Sequence, residues 1–147
     1  MRYYRKTCSD CDCFINQLPD EAFAQVRSKT FEPGEVLYTE GALMDRVMFV
    51  CEGTAQSFHV DTLKNEKQIQ SFVQKGTLLG LQELMENNAC WTHSVEVVES
   101  CQVLILDAEV FMASLSVPEV LRQVMFHSIQ RKQSVQRQLV NSFKSEE

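Results

Sequence analysis

Between Thr30 and Leu106 the chain is a series of short β-branched and aromatic runs, "EVLYTE", "RVMFVCEG", "AQSFHV", "KQIQSFVQ", "HSVEVV" and "CQVLIL", with turn residues between them. Runs of this length, bounded in this way, predict strands, and so many in succession predict an all-β sandwich or barrel. Helical spacing flanks them. Upstream, "LPDEAFAQVRSKT" places Ala22, Phe23 and Val26 on one face behind Pro19 and Asp20, which suit a helix entry. Downstream, "AEVFMASL" predicts a short helix, and Pro118 opens a long one expected to run to about Phe143. Leu121, Val124, Met125 and Ile129 form a broad apolar face in its first half, and Val135, Leu139 and Phe143 continue it at i+4 steps. Roughly 25 residues of helix span about 37 Å, more than one small β domain covers, so part of it is expected to pair with a twofold mate.

The glycines sharpen this picture. There are five, Gly34, Gly41, Gly53, Gly76 and Gly80, and each falls at the start or end of a predicted strand. A corner that needs positive φ takes glycine at least cost, so all five are read as corner residues. With 147 residues, 44% of them apolar and 23% charged, the chain suits one domain with a proper core. The expected divisions are a cysteine-containing tail over 1–16, a β domain over 17–116 and the long helix over 117–147.

Charge and segment composition then narrow the function. A net charge of −6 argues against this chain alone gripping a nucleic-acid backbone, which needs a basic face. From Gly76 to Leu121 there is no Lys or Arg, while Glu83, Glu86, Glu96, Glu99, Asp107, Glu109 and Glu119 lie inside. A bare phosphate is a poor ligand for that stretch. No run approaches the roughly 18 apolar residues of a membrane span, and the first residues carry no apolar signal segment, so a cytoplasmic protein without a membrane partner is expected. The sequence contains no Walker A loop, no G-x-S-x-G and no nucleophile–base motif, so no enzymatic activity is expected.

The string "FEPGEVLYTEGALMDRVMFVCEGTAQ", followed by "VQKGTLLGLQEL", resembles the sensory domain of Crp/Fnr-type bacterial transcription regulators. The resemblance rests on "PGE" before a strand, "EG" at the next corner, an apolar strand ending in "EG", and "KGxxxG" before the pocket. It implies a mostly β fold with helices: a cyclic-nucleotide-binding-like β-roll (jelly roll) flanked by a short N-terminal helix and a long C-terminal dimerisation helix. "VPEVLRQVMFHSIQRKQSVQRQLV" resembles that helix, with Leu121, Met125, Val135, Leu139 and Phe143 as its seam. The implied function is effector sensing by a homodimer that signals to a helix-turn-helix DNA-binding domain, here expected beyond "FKSEE". The alternative is a stand-alone cyclic-nucleotide-binding module acting on a partner protein.

In cyclic-nucleotide binders of this fold, the segment after the second glycine of "GxxxG" supplies a Glu for the ribose and an Arg, then Ser or Thr, for the cyclic phosphate. The candidate effector pocket here is Gly80, Leu81, Gln82, Glu83 and Leu84 with Trp91, Thr92 and His93. Leu81 stands where that Glu would be and Trp91 where the Arg would be, with Thr92 after it. Each charge-assisted bond contributes about 1.5–3 kcal/mol, so losing both makes cyclic AMP a poor fit. A pocket closed by its own side chains, or filled by an apolar or haem ligand, remains open.

The stretch "TCSDCDCF" places Cys8, Cys11 and Cys13 within six positions. Fnr-type sensors hold a [4Fe–4S] cluster on an N-terminal cysteine group and one distant cysteine. By that resemblance Cys8, Cys11, Cys13 and Cys101 are the candidate ligands of an iron–sulfur cluster. Cys8 and Cys11 match the C-x2-C opening of the pattern, whereas Cys13 follows too closely. Cys101 falls about three residues early, and an odd offset turns a strand side chain to the other face. A zinc or thiol redox switch, an unligated tail and a Cys101 that is simply buried are the competing readings. Cys51 is read as core and Cys90 as the freest thiol. His59, His93 and His127 are each isolated in sequence, so solvated or core histidine is expected, with His93 closest to the pocket. The effector itself, a small molecule or a redox signal, is not identified by these residues.

Overall fold

The computed structural model describes residues 14–126. A 3₁₀ turn at Phe14–Gln17 leads into helix α1 (Asp20–Phe23), and strands β1 (Arg27–Phe31) and β2 (Val36–Tyr38) follow. Then come the long β3 (Arg46–Asp61), β4 (Glu66–Val73), the short β5 (Leu78–Leu79), helix α2 (Leu81–Met85), β6 (Ser94–Asp107) and helix α3 (Ala108–Ser114). A last helix, α4, is described over 118–126. Its expected continuation through Val135, Leu139 and Phe143 lies outside the described residues.

All pairings are antiparallel. The strands run in the order β1-β6-β3-β4, β2 adds to β6 and β5 adds to β3. The spine of the roll is the β3–β6 ladder, which runs from Arg46 opposite Asp107 to Phe58 opposite Ser94. The run Val47–Val50 is buried throughout. It needs no alternation, because α3 packs against β3 and β6 while the sheet covers the opposite side. Val47, Val50, Val95, Val103, Leu104, Leu106 and Phe111 are among the most deeply buried core residues. Ile15 and Leu18 are buried against the same core, so the packed unit begins inside the stretch read as tail.

Two of the strand signals merge. "RVMFVCEG" and "AQSFHV" form the single strand β3, which passes through Gly53 at φ 95°, and the ladder slips register on both sides of it. Gly53 is therefore a bulge inside a strand, not a corner between two. "HSVEVV" and "CQVLIL" likewise join as β6. All five glycines do adopt positive φ, as the corner reading requires.

In α4, Val120 and Val124 are buried against the roll, whereas Leu121 and Met125 are 41% and 55% exposed. Of the apolar face expected on this helix, Val124 docks on the roll together with Val120, and the seam residues Leu121 and Met125 do not. Leu121 and Met125 are directed away from the roll that their helix rests on.

Candidate functional site

The site forms where the end of β2 meets the loop before β6. Tyr38 lies opposite Val95 in the β2–β6 ladder, so its ring reaches the residues that open β6. The loop carrying Trp91 is tied to the loop after β2 by backbone bonds. Gly41 N–H donates to Trp91 O, Trp91 N–H donates to Ala42 O, both at 2.9 Å, and Met44 N–H donates to Ala89 O at 2.9 Å. Leu43 and Cys90 add an isolated bridge between the same loops. A side chain on so braced a loop is held in place.

That side chain is Trp91. Its ring stacks on Tyr38 with centroids 3.6 Å apart and planes 10° from parallel, and the residue is only 3% exposed. His93 meets Tyr38 edge-on at 5.5 Å. Trp91 thus presents buried apolar surface, with no charge, at this position.

A chain of polar contacts runs behind this stack. Tyr38 Oη lies 2.9 Å from His93 Nε2, and His93 Nδ1 lies 3.1 Å from Thr92 Oγ1. The Thr92 hydroxyl donates to Glu83 Oε1 at 2.9 Å. With that hydrogen committed, Thr92 can only accept from His93, so Nδ1 carries the imidazole hydrogen and Nε2 accepts from Tyr38. Glu83 is 1% exposed and its Oε1 lies 3.7 Å from His93 Nδ1. Burial, and secondarily Glu83, push the Tyr38 phenol well above its ordinary range, so it remains a donor. Burial pulls His93 below the ordinary imidazole range and outweighs the upward pull of Glu83; His59 adds to the lowering and Glu40 opposes it. Those last two form a pair of their own, His59 Nδ1 to Glu40 Oε2 at 3.0 Å, and the Glu40 backbone N–H donates to Ser94 Oγ at 2.8 Å.

The expected pocket residues therefore separate into two groups. Glu83, Trp91, Thr92 and His93 converge. Gln82 instead faces solvent and donates to Glu86 Oε1 at 3.1 Å. Leu81 and Leu84 pack against the core. Gly80, at φ 105°, caps α2 and lets the turn pass over Met44. Sequence reasoning missed Tyr38, Glu40 and the partnership of His59, because these contacts join positions far apart in the chain. The one local hint was an aromatic residue in the strand just before "EG".

Cys8, Cys11 and Cys13 lie outside the described residues. Cys101 is fully buried, and its thiol donates to Glu99 O at 3.2 Å. Burial first, and Glu99 second, push that thiol above its ordinary range. Among the described residues no group of three or more His, Cys, Asp or Glu side chains is placed to hold a metal ion.

The family profile of the cyclic nucleotide-binding domain matches residues 28–116. The chain belongs to this family. Among curated sequences, the domain is 29% identical over 104 residues to the potassium channel SKOR of Arabidopsis thaliana, a match covering 71% of this chain and 12% of the channel. Among solved structures, DNR from Pseudomonas aeruginosa superposes with a TM-score of 0.70 at 8% identity, covering 93% of this chain and 63% of DNR. The catabolite activator protein of Thermus thermophilus gives 0.62 at 19% identity, covering 86% and 61%. At these identities the structures establish the shared fold. The chain spans about an eighth of the channel and about three fifths of each of the two solved proteins. No helix among the described residues is long and apolar enough to cross a membrane.

Proposed function

We propose that this domain is the effector-sensing and dimerisation part of a Crp/Fnr-type transcription regulator, passing its signal to a DNA-binding domain outside this chain, and that its effector is not a cyclic nucleotide. The observation that carries the effector reading is the Trp91–Tyr38 stack, 3.6 Å between centroids. A cyclic phosphate needs a forked cationic donor, and the resemblance puts the positions of that donor and of the ribose carboxylate at Trp91 and Leu81, neither of which carries a charge. The output reading is supported by α4, which is anchored by Val120 and Val124 and leaves Leu121 exposed for a second subunit. Such coupling requires only that the signal favour one of two helix arrangements. In this reading the protein is cytoplasmic and not an enzyme.

Titration calorimetry with cyclic AMP and cyclic GMP is the test. Binding is expected at about millimolar or weaker, an affinity of about −4 kcal/mol or less. Micromolar binding to either nucleotide would overturn the reading.

A second reading, a regulatory module acting on a partner protein, is favoured by the 29% identity over 71% of this chain to a plant potassium channel. Sequencing the native reading frame past Glu147 separates the two. A helix-turn-helix there supports the regulator.

A further inference from the structure

Behind the Trp91–Tyr38 stack lies a hydrogen-bond chain that the proposed function leaves without a role. Its order is fixed by donor count: Tyr38 O–H to His93 Nε2, His93 Nδ1–H to Thr92 Oγ1, Thr92 O–H to Glu83 Oε1. Only one link in it can change direction by gaining a proton at ordinary pH, the imidazole. We propose that the proton is itself an input signal of this site: protonation of His93 at Nε2 removes the acceptor that Tyr38 uses and releases the Trp91–Tyr38 stack.

The geometry supplies the coupling. Neutral His93 satisfies the Tyr38 hydroxyl from one ring nitrogen and Thr92 from the other. When a solvent proton binds Nε2, that nitrogen becomes a donor and the phenol oxygen must turn to accept. The phenol hydrogen then loses its acceptor inside a residue that is 7% exposed, directly under the indole. The groups facing His93 are Tyr38 from β2, Glu40 just after β2, His59 from β3 and Glu83 from α2, with Thr92 and Trp91 on its own loop. Glu40 is hydrogen-bonded by His59 and Glu83 by Thr92, and although both carboxylates favour a charge on the ring, burial outweighs them. Burial disfavours the imidazolium in the closed site, whereas an opened, solvated His93 takes up the proton near its ordinary value of about 6.5. The sign follows. The closed arrangement is favoured at high pH, and as pH falls below about 6.5 the open-to-closed ratio rises about tenfold per unit until the closed form protonates as well. This deepens the reading of a self-occupied pocket, and its failure leaves the oligomeric and nucleotide-binding tests of that reading untouched.

Trp91 is the only tryptophan in the full chain, so its emission reports the stack alone. Emission and acrylamide quenching would be followed from about pH 8 to about pH 5, with far-UV circular dichroism as a check on the fold. The wild type and His59→Gln are expected to show a red shift and increased quenching with a one-proton slope, the circular dichroism being unchanged. His93→Gln is expected to show no such transition. The transition surviving in His93→Gln overturns the proposal, as does one that coincides with loss of secondary structure. Should His93→Gln fail to fold, the ring resonances of His93 and the indole N–H of Trp91 in the wild type decide by NMR. An imidazole with Nδ1–H at high pH, titrating together with the indole signal, supports the proposal; an indole signal that stays fixed while His93 titrates, or a His93 that never titrates, overturns it.

Discussion

At the level of single residues, the buried Glu83 is satisfied from within the site. The residue is 1% exposed, and Thr92 donates to its carboxylate at 2.9 Å. Thr92→Val keeps the shape and deletes the donor, leaving a buried acceptor short of a partner. The expected cost is about 1–3 kcal/mol in urea denaturation, with Thr92→Ser close to wild type. A Val variant as stable as wild type would show that other groups satisfy Glu83 and that the chain to His93 is incidental. Part of this site was legible from the sequence. The Leu81 and Trp91 replacements showed that charge was missing, and His93 stood out by its place in the segment. Tyr38 did not stand out, because an aromatic residue in a strand fits the core equally well and its bond to His93 joins positions 55 residues apart. His59 looked solitary for the same reason, its partner Glu40 being a contact made only by folding.

At the level of elements, apolar patterning located most strands but not their continuity. β3 and β6 were each read as two pieces, since turn-like residues interrupt the apolar run, as "EGT" does in β3 and "ES" in β6. Backbone pairing carries both strands through those interruptions, at the cost of register slips around Gly53. β1, with the sequence RSKTF, is nearly all polar and buries only Phe31, so it gave no alternation to read. Its place is set by the ladder to residues 101–105 of β6. α1 is shorter than its helical pattern, because Val26 is buried where the chain turns into β1 and needs no further helical turn to be covered. Gly53 is the position on which the long ladder depends most. A Cβ there would lie 2.2 Å from Ser100 O and 2.7 Å from the Cys101 Cα, both backbone atoms that cannot swing aside. Gly53→Ala therefore meets a clash as well as the left-handed φ, which alone costs about 1–3 kcal/mol. Gly41→Ala shares the positive φ but has nothing within 4 Å of its Cβ, so it isolates the conformational part. Thermal unfolding should place Gly53→Ala clearly below Gly41→Ala. Equal losses would mean that the bulge relaxes without strain.

At the scale of the whole molecule, the proposed function makes α4 the route by which a change in the roll leaves it, and the two sides of α4 are chemically separable. Val120 and Val124 are buried against the roll at 0% and 4% exposure, while Leu121 and Met125, also four apart, form a stripe that the described residues leave uncovered. A helix with apolar residues on two faces has one face too many for a single subunit. If the second stripe starts a twofold seam, a charge there should break the assembly and spare the fold. A charge at Val124 should do the reverse. Leu121→Glu is expected to weaken self-association by at least about tenfold in sedimentation at matched concentration, because the carboxylate enters an apolar seam opposite its own symmetry mate. Its thermal transition, measured at a concentration where wild type is also monomeric, should be nearly unchanged. Val124→Glu instead buries an unpaired charge within the subunit, which costs several kcal/mol on the scale of about 2–7 for unsatisfied polar burial. That variant should unfold early whatever its concentration. If Leu121→Glu assembles like wild type, this stripe is not a dimer seam, and the role given to α4 as output arm loses its structural support.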